Sequence, residues 1–282
     1  MRIMDNITIR WLGVAGIEIG CAGRRIVFDP YFTRIPFHKL WLGRVAPDAA
    51  LVHKHLPECD AVFISHSHVD HLLDVPEVIR QTRADAFGSP NTCRLLHACG
   101  APEEKIHEIR LGYFLEIGPF KINAYAQRPH VSVGGYGMRP LRSTLIPPLR
   151  AGDYRMDFGM SFLVEVQGVR LLVEACLDLD AVGRVDALFT VPFWGVAGSE
   201  RVHYQRLLDA YRPRVIIPIH WDDMWIPLSQ PIRGQWVTTG RIFPPIARLD
   251  RDRFKRTIEL IDPKAHVLLP ERLETYSWLE MQ

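Results

Sequence analysis

The chain is 282 residues long, 48% hydrophobic and 23% charged, with a net charge of +2. That is an ordinary globular composition, long enough for one large domain or two small ones and for a core that needs no disulfides or structural metal. Charges of both signs are mixed along the sequence, so neither nucleic acid nor an anionic membrane is demanded as a partner. Short strands come first: ITIRWLG, GIEIG and RRIVFDP carry β-branched residues bounded by Gly and Pro. From Tyr31 to Cys59 the text is irregular, rich in aromatics and prolines, and reads as a surface excursion. DAVFIS is a buried strand, and DVPEVIRQTRA predicts a helix with Pro76 in its first turn. DAFGSP follows as a strand, NTCRLLHACG as a helix closed by Gly100, and YFLEIGPFKINAYAQ as a hairpin turning at Gly118-Pro119. The second half repeats the style. MSFLVEVQGVRLLVEAC is a hairpin around Gly168, DALFTVPF a strand, SERVHYQRLLDAY a helix and PRVIIPIH a strand, before a Trp- and Pro-rich tail. Hairpins first in each half, then strands alternating with helices, argue for sheets faced by helices. Five cysteines at irregular spacing argue against a disulfide framework and for a reducing compartment, so the expected location is the cytoplasm. No stretch approaches a membrane span or the apolar core of a signal peptide.

Between Phe63 and Asp74 the sequence FISHSHVDHLLD packs three histidines and two aspartates into twelve residues. A strand ending at Ser65 places His66 and His68 on one side, because strand side chains alternate. Asp70 and His71 then fall where the chain turns into the helix beginning near Asp74. Four metal-competent side chains at H-x-H-x-D-H spacing, at the C-terminal end of a buried strand, make a metal site.

HSHVDH resembles the signature of the metallo-β-lactamase superfamily, whose fold is a four-layer αββα sandwich holding one or two metal ions. IVFDPYF resembles the early strand and Asp-Pro of its ascorbate-lactonase-like branch of metal-dependent hydrolases. RPHVS supplies His130 and RVIIPIHWDD supplies His220, in the family's order. The resemblance spans residues 7–223 of one domain covering 1–282, with a tail from about residue 224 that matches no motif. It implies that His66, His68 and His130 hold a first metal, and Asp70, His71 and His220 a second. Zinc is the expected ion, one or two of them, with manganese or iron as alternatives. Where relatives carry a bridging aspartate, this chain reads VEACLDLD, so Cys176 takes the expected place, with Asp178 as its rival on the same strand face. Asp29 is placed to orient a ligand histidine. Trp194, Trp221 and Trp225 are candidates to wall a pocket, and segments 31–45 and 221–236 to border the metal cleft. Arg139, Arg142 and Arg150 either meet an anionic substrate or are solvated.

The implied activity is hydrolysis of a lactone or other ester-like small molecule by a metal-bound hydroxide that Asp70 orients. A phosphodiesterase of the phospholipase-D-like or nuclease-like kind is the alternative within the fold. A non-hydrolytic single-metal, redox or binding protein on the same fold is the alternative from a different functional class, and neither a nucleic-acid partner nor a membrane span is expected.

Overall fold

The computed structural model describes residues 7–127, 140–173, 182–192, 199–237 and 247–282. Two seven-stranded sheets form its frame. The first contains β1 (Thr8–Gly13), β2 (Gly16–Cys21), β3 (Arg24–Phe28), β4 (Ala61–Phe63), β5 (Asp85–Gly88) and β6 (Ile106–Glu108) side by side, with β14 (Thr275–Ser277) outside β1. The second runs from β7 (Phe114–Ile117) through β8 (Phe120–Ala126), β9 (Met160–Val166), β10 (Val169–Val173), β11 (Ala187–Thr190) and β12 (Val215–Pro218) to β13 (His266–Val267). In each sheet the early strands pair as antiparallel hairpins. From β3 onward in the first sheet, and from β10 onward in the second, the pairing is parallel. Parallel neighbours need crossovers, and helices supply most of them.

The sandwich follows from side-chain alternation. Ile26 and Phe28 of β3 face the space between the sheets, while Val27 faces the other way. Ala61 and Phe63 of β4 do the same around Val62. In the second sheet Phe162 and Val164 flank Leu163, and Ala187 and Phe189 flank Leu188. Each strand therefore has two apolar faces, as strands buried between layers must. On the outer face of the first sheet lie α1 (Ala49–His55), α3 (Val75–Thr82) and α4 (Pro90–Ala98), contributing Val52, Val78, Ile79, Leu95 and Leu96. On that of the second lie α5 (Glu200–Tyr211) and α6 (Arg251–Ile261), with Tyr204, Leu207, Phe254 and Ile258. The result is four layers in the order αββα. Stacked rings fasten the middle: Phe63 lies 4.9 Å from Phe87 and 5.3 Å from Phe28, and Phe28 reaches Phe162 of the opposite sheet at 5.4 Å. Each such buried side chain contributes roughly 1.5–3 kcal/mol. No helix among the described residues is long and apolar enough to cross a membrane.

One expectation is corrected. Residues 31–59 are a surface excursion only around 36–44, where Phe37, Trp41 and Leu42 are exposed, since Tyr31, Phe32, Ile35, Val45, Val52 and Leu56 are all buried. The segment contains α1, whose N-terminus is capped by Asp48 accepting from the Leu51 amide at 3.1 Å. Val52 and Leu56, four residues apart, share its inward face. The tail from about residue 224, which matches no motif, packs as part of the sandwich: α6 covers the second sheet, β13 pairs with β12, and β14 pairs with β1. The strand β6 and the one-turn helix α2 (Val69–Leu72) were not anticipated either.

Candidate metal centre

The C-terminal ends of three parallel strands deliver the site. Asp29 follows β3, Ser65 to His71 follow β4, and His220 follows β12. Ligands gather at such ends in parallel sheets because the loops diverge there and leave a crevice. The short helix α2 carries Asp70 and His71 on consecutive positions, and both are buried. Asp70 Oδ2 lies 3.2 Å from His220 Nε2 and 3.5 Å from His71 Nε2. Ligand atoms of these three residues all fall within 4.8 Å of one another. His66 and His68 sit beside them without joining that group. The His66 ring is 3.9 Å from that of His71, and its Nε2 is 3.0 Å from His68 Nδ1.

Asp29 fixes the orientation of His71. Its Oδ2 is 2.9 Å from His71 Nδ1, so that nitrogen carries the proton and Nε2 presents its lone pair toward Asp70 and His220. The other oxygen, Oδ1, accepts from the Ser65 amide at 2.7 Å, and the Ser65 hydroxyl donates to Oδ2. Asp29 adopts this position at φ 42°, a left-handed conformation costly for any residue with a Cβ. Burial by itself would raise the Asp70 carboxyl. The electrostatic attraction of the His71, His220 and His68 rings for the carboxylate, together with the hydrogen bond from His220, outweighs it and holds the group well below the usual carboxylate range. An anion therefore sits among imidazoles.

The donor set fits a metal ion. Ligands 2.0–2.2 Å from a tetrahedral zinc are separated by about 3.3–3.6 Å; the Asp70–His71 separation of 3.5 Å falls on that edge and the Asp70–His220 separation of 3.2 Å just short of it.

A buried scaffold that the sequence did not announce holds His220. Arg34 Nη2 donates to Asp222 Oδ2 at 2.9 Å, with both side chains fully buried. Asp222 Oδ1 accepts from the Val14 amide at 2.8 Å, and the His220 amide donates back to the Val14 carbonyl at 2.7 Å. Val14 at φ 48° and His220 at φ 55° are both left-handed, so this knot over-determines two strained residues. Gly13 is required here. It sits at φ 95°, and a Cβ would come 2.2 Å from Arg34 Nη2. Nearby, Asp74 ties residues 32–33 to the start of α3 by accepting from the Phe32 amide, the Thr33 amide at 2.9 Å and the Thr33 hydroxyl. Burial pushes its carboxyl up to about 6 against those hydrogen bonds.

Of the residues expected at the site, the structure brings His66, His68, Asp70, His71 and His220 together, with Asp29 behind them. His130, Cys176 and Asp178 lie outside the described residues, as do Arg139 and Trp194. Trp221 is buried against the core, stacked 5.6 Å from Trp11, and it lines a cavity with Ile232, Arg233, Arg251 and Glu271. Ile219 and Trp221, on either side of His220, both pack in the core between the sheets. Trp225 packs on Phe37 at 5.4 Å, and Arg34 reaches Asp222, so segments 31–45 and 221–236 meet each other beside the cluster. Arg142 is engaged by Asp153 at 2.9 Å. The missed residues Arg34 and Asp222 left one signal, an Arg in an apolar segment and an acid directly after HW.

Residues 24–141 match the beta-lactamase superfamily domain. A UPF0173 metal-dependent hydrolase of Methanopyrus kandleri is 23% identical over 273 residues, covering 95% of this chain and 98% of its own. Among solved structures, Igni18, a metallo hydrolase of Ignicoccus hospitalis, superposes with a TM-score of 0.63 at 17% identity, over 97% of this chain and 98% of that one. The metallo-β-lactamase fold protein YhfI of Bacillus subtilis does so with a TM-score of 0.60 at 10% identity, over 97% and 100%. Over residues 24–141 the chain is thus similar to the beta-lactamase superfamily domain, over nearly its whole length it resembles metal-dependent hydrolases, and its αββα sandwich is the metallo-β-lactamase fold.

Proposed function

We propose that the chain is a metal-dependent hydrolase acting on a lactone or other ester-like small molecule. The observation that carries this reading is the tetrahedral spacing of Asp70 Oδ2 against His71 Nε2 and His220 Nε2. Relatives named metal-dependent hydrolase support the reaction class. Zinc is the ion we assign, held by Asp70, His71 and His220, with His66, His68 and His130 holding a first ion beside it. Cys176 or Asp178 completes the second site, a thiolate and a carboxylate both being competent zinc donors. A bound ion supplies Lewis acidity and lowers the pKa of water. The protein does the rest. Asp70, kept anionic by its neighbours, accepts a hydrogen bond from the attacking water and sets its direction. Asp29 keeps His71 in the tautomer whose Nε2 is free. The fully buried Arg34–Asp222 pair keeps the His220 turn in place.

The test is elemental analysis of the purified protein combined with chromogenic lactones, carboxylic esters and phosphodiesters. The expected result is at least one equivalent of zinc, loss of turnover with a chelator, recovery on zinc addition, and faster turnover of esters or lactones than of phosphodiesters. A protein with full metal content after His66→Ala with His68→Ala would overturn the ligand assignment. Preferential phosphodiester turnover would overturn the substrate class. Asp29→Ala should weaken zinc binding about 10–100-fold by releasing His71 from its orientation. Competition with a chromogenic chelator reads this directly, and unchanged affinity would show that His71 is not a ligand.

A further inference from the structure

One face of the molecule collects exposed apolar and basic side chains. A single 3₁₀ turn over Phe37–Leu40 is followed by a tip at which Phe37, Trp41 and Leu42 are 52%, 57% and 65% exposed. Phe37 packs edge-on against Trp41 at 4.9 Å and against Trp225 at 5.4 Å, making one aromatic cluster. The adjoining strip is residues 140–150: Arg44 Nη1 donates to the carbonyls of Ile146 and Pro148 at 2.6 Å, and Ile146 is 62% exposed. Isolated exposed leucines are normal on a protein surface, but a contiguous group of this kind marks an interaction site.

Its charge is one-sided. Residues 37–47 and 140–150 contain Lys39, Arg44, Arg142 and Arg150 and no Asp or Glu, in a chain with 34 Lys+Arg and 32 Asp+Glu. Of these, Arg142 is paired with Asp153 at 2.9 Å, so Lys39, Arg44 and Arg150 are the cations in excess; of the acids just outside, Asp48 caps α1 and Asp223 accepts from the Trp225 amide. Lys39 folds over the tip, since a Cβ on Gly43 would lie 3.2 Å from its Nζ, which puts a cation beside Trp41 and Leu42.

We propose that this face docks on an anionic lipid surface. Trp and Leu at a protruding turn sit at the headgroup level, and flanking Lys and Arg keep their charges among the phosphates while their stems cover apolar area. A near-neutral whole chain does not exclude this, because the attraction falls off within a Debye length and reads the local patch. A second copy of the chain is disfavoured as the occupant. A two-fold interface would bring each basic strip against itself.

The test is sedimentation of the full chain with sucrose-loaded vesicles of phosphatidylcholine alone, or of phosphatidylcholine and phosphatidylglycerol in equal amounts. The expected result is binding to the anionic vesicles about tenfold or more stronger than to the neutral ones, weakened by high salt. Trp41→Ser with Leu42→Ser should reduce that binding about tenfold, because it removes apolar insertion. Both residues are exposed, so the melting curve by circular dichroism should be unchanged. Lys39→Glu provides a second variant that acts through charge alone. The proposal is overturned if wild type stays in the supernatant with both vesicles, binds both equally, or binds no better than the double variant. A dimer by light scattering that the double variant dissociates, without vesicle binding, would assign the face to a second copy instead.

Discussion

Asp70→Ala should abolish turnover and strip zinc from its site while leaving the fold intact. Asp70 is the anion of the cluster, within 3.5 Å of two imidazole nitrogens. Without it those histidines face each other with no counter-charge, and an incoming dication meets neutral donors alone. Removing a group that merely orients a ligand costs about 10–100-fold in metal affinity. Removing the carboxylate itself should cost more, on the order of 10³-fold in both affinity and turnover. The core of the sandwich does not pass through this residue, so far-ultraviolet circular dichroism of the variant should overlay that of the wild type. Asp70→Asn keeps the shape and loses the charge, and it should resemble the alanine variant. Zinc content and turnover near wild type in the asparagine variant would show that the charge is not what matters.

Arg34→Met should be among the most destabilising substitutions in the molecule. It leaves the Asp222 carboxylate fully buried and uncompensated, with the Val14 amide as its remaining donor. Breaking a buried pair from one side costs about 3–5 kcal/mol, because the orphaned charge cannot return to water. Arg34→Met with Asp222→Asn removes both charges and should recover much of that loss. Urea unfolding at neutral pH measures both, and the diagnostic result is a double variant more stable than the single one. A double variant that is less stable by the sum of two independent losses would mean that the pair is not coupled. Metal binding at His220 should weaken in both, since the turn that carries it is tied to the same knot through the Val14 carbonyl.

Much of the architecture was legible in the chain because its strands advertise themselves. RRIVF, AVF, MSFLVEV and VIIP are apolar runs of strand length bounded by Gly, Pro or Asp, and each became a strand with two buried faces. The cluster was legible because four ligand-type side chains in six positions have few structural uses. The scaffold behind it was not legible. Arg34 and Asp222 are 188 residues apart and are joined through a left-handed Val14 that no local propensity favours. The helix α1 was hidden for a different reason: prolines and aromatics around it mask a short period, and its inward face rests on Val52 and Leu56. Trp221 was legible as a pocket-lining aromatic, but its stacking on Trp11 in the core was not. Asp29 was readable as a partner for a ligand histidine, yet nothing in Asp-Pro specified that His71 would be the one it holds at 2.9 Å.

A crystal grown with zinc and measured at the zinc absorption edge tests the central claim most directly. The account predicts an anomalous peak about 2.0–2.2 Å from Asp70 Oδ2, His71 Nε2 and His220 Nε2. Sulfur of Cys176 near 2.3 Å, or a carboxylate oxygen of Asp178, should then complete its coordination. A zinc-loaded crystal with no peak among those three atoms, or with its peak held by other residues, would contradict it.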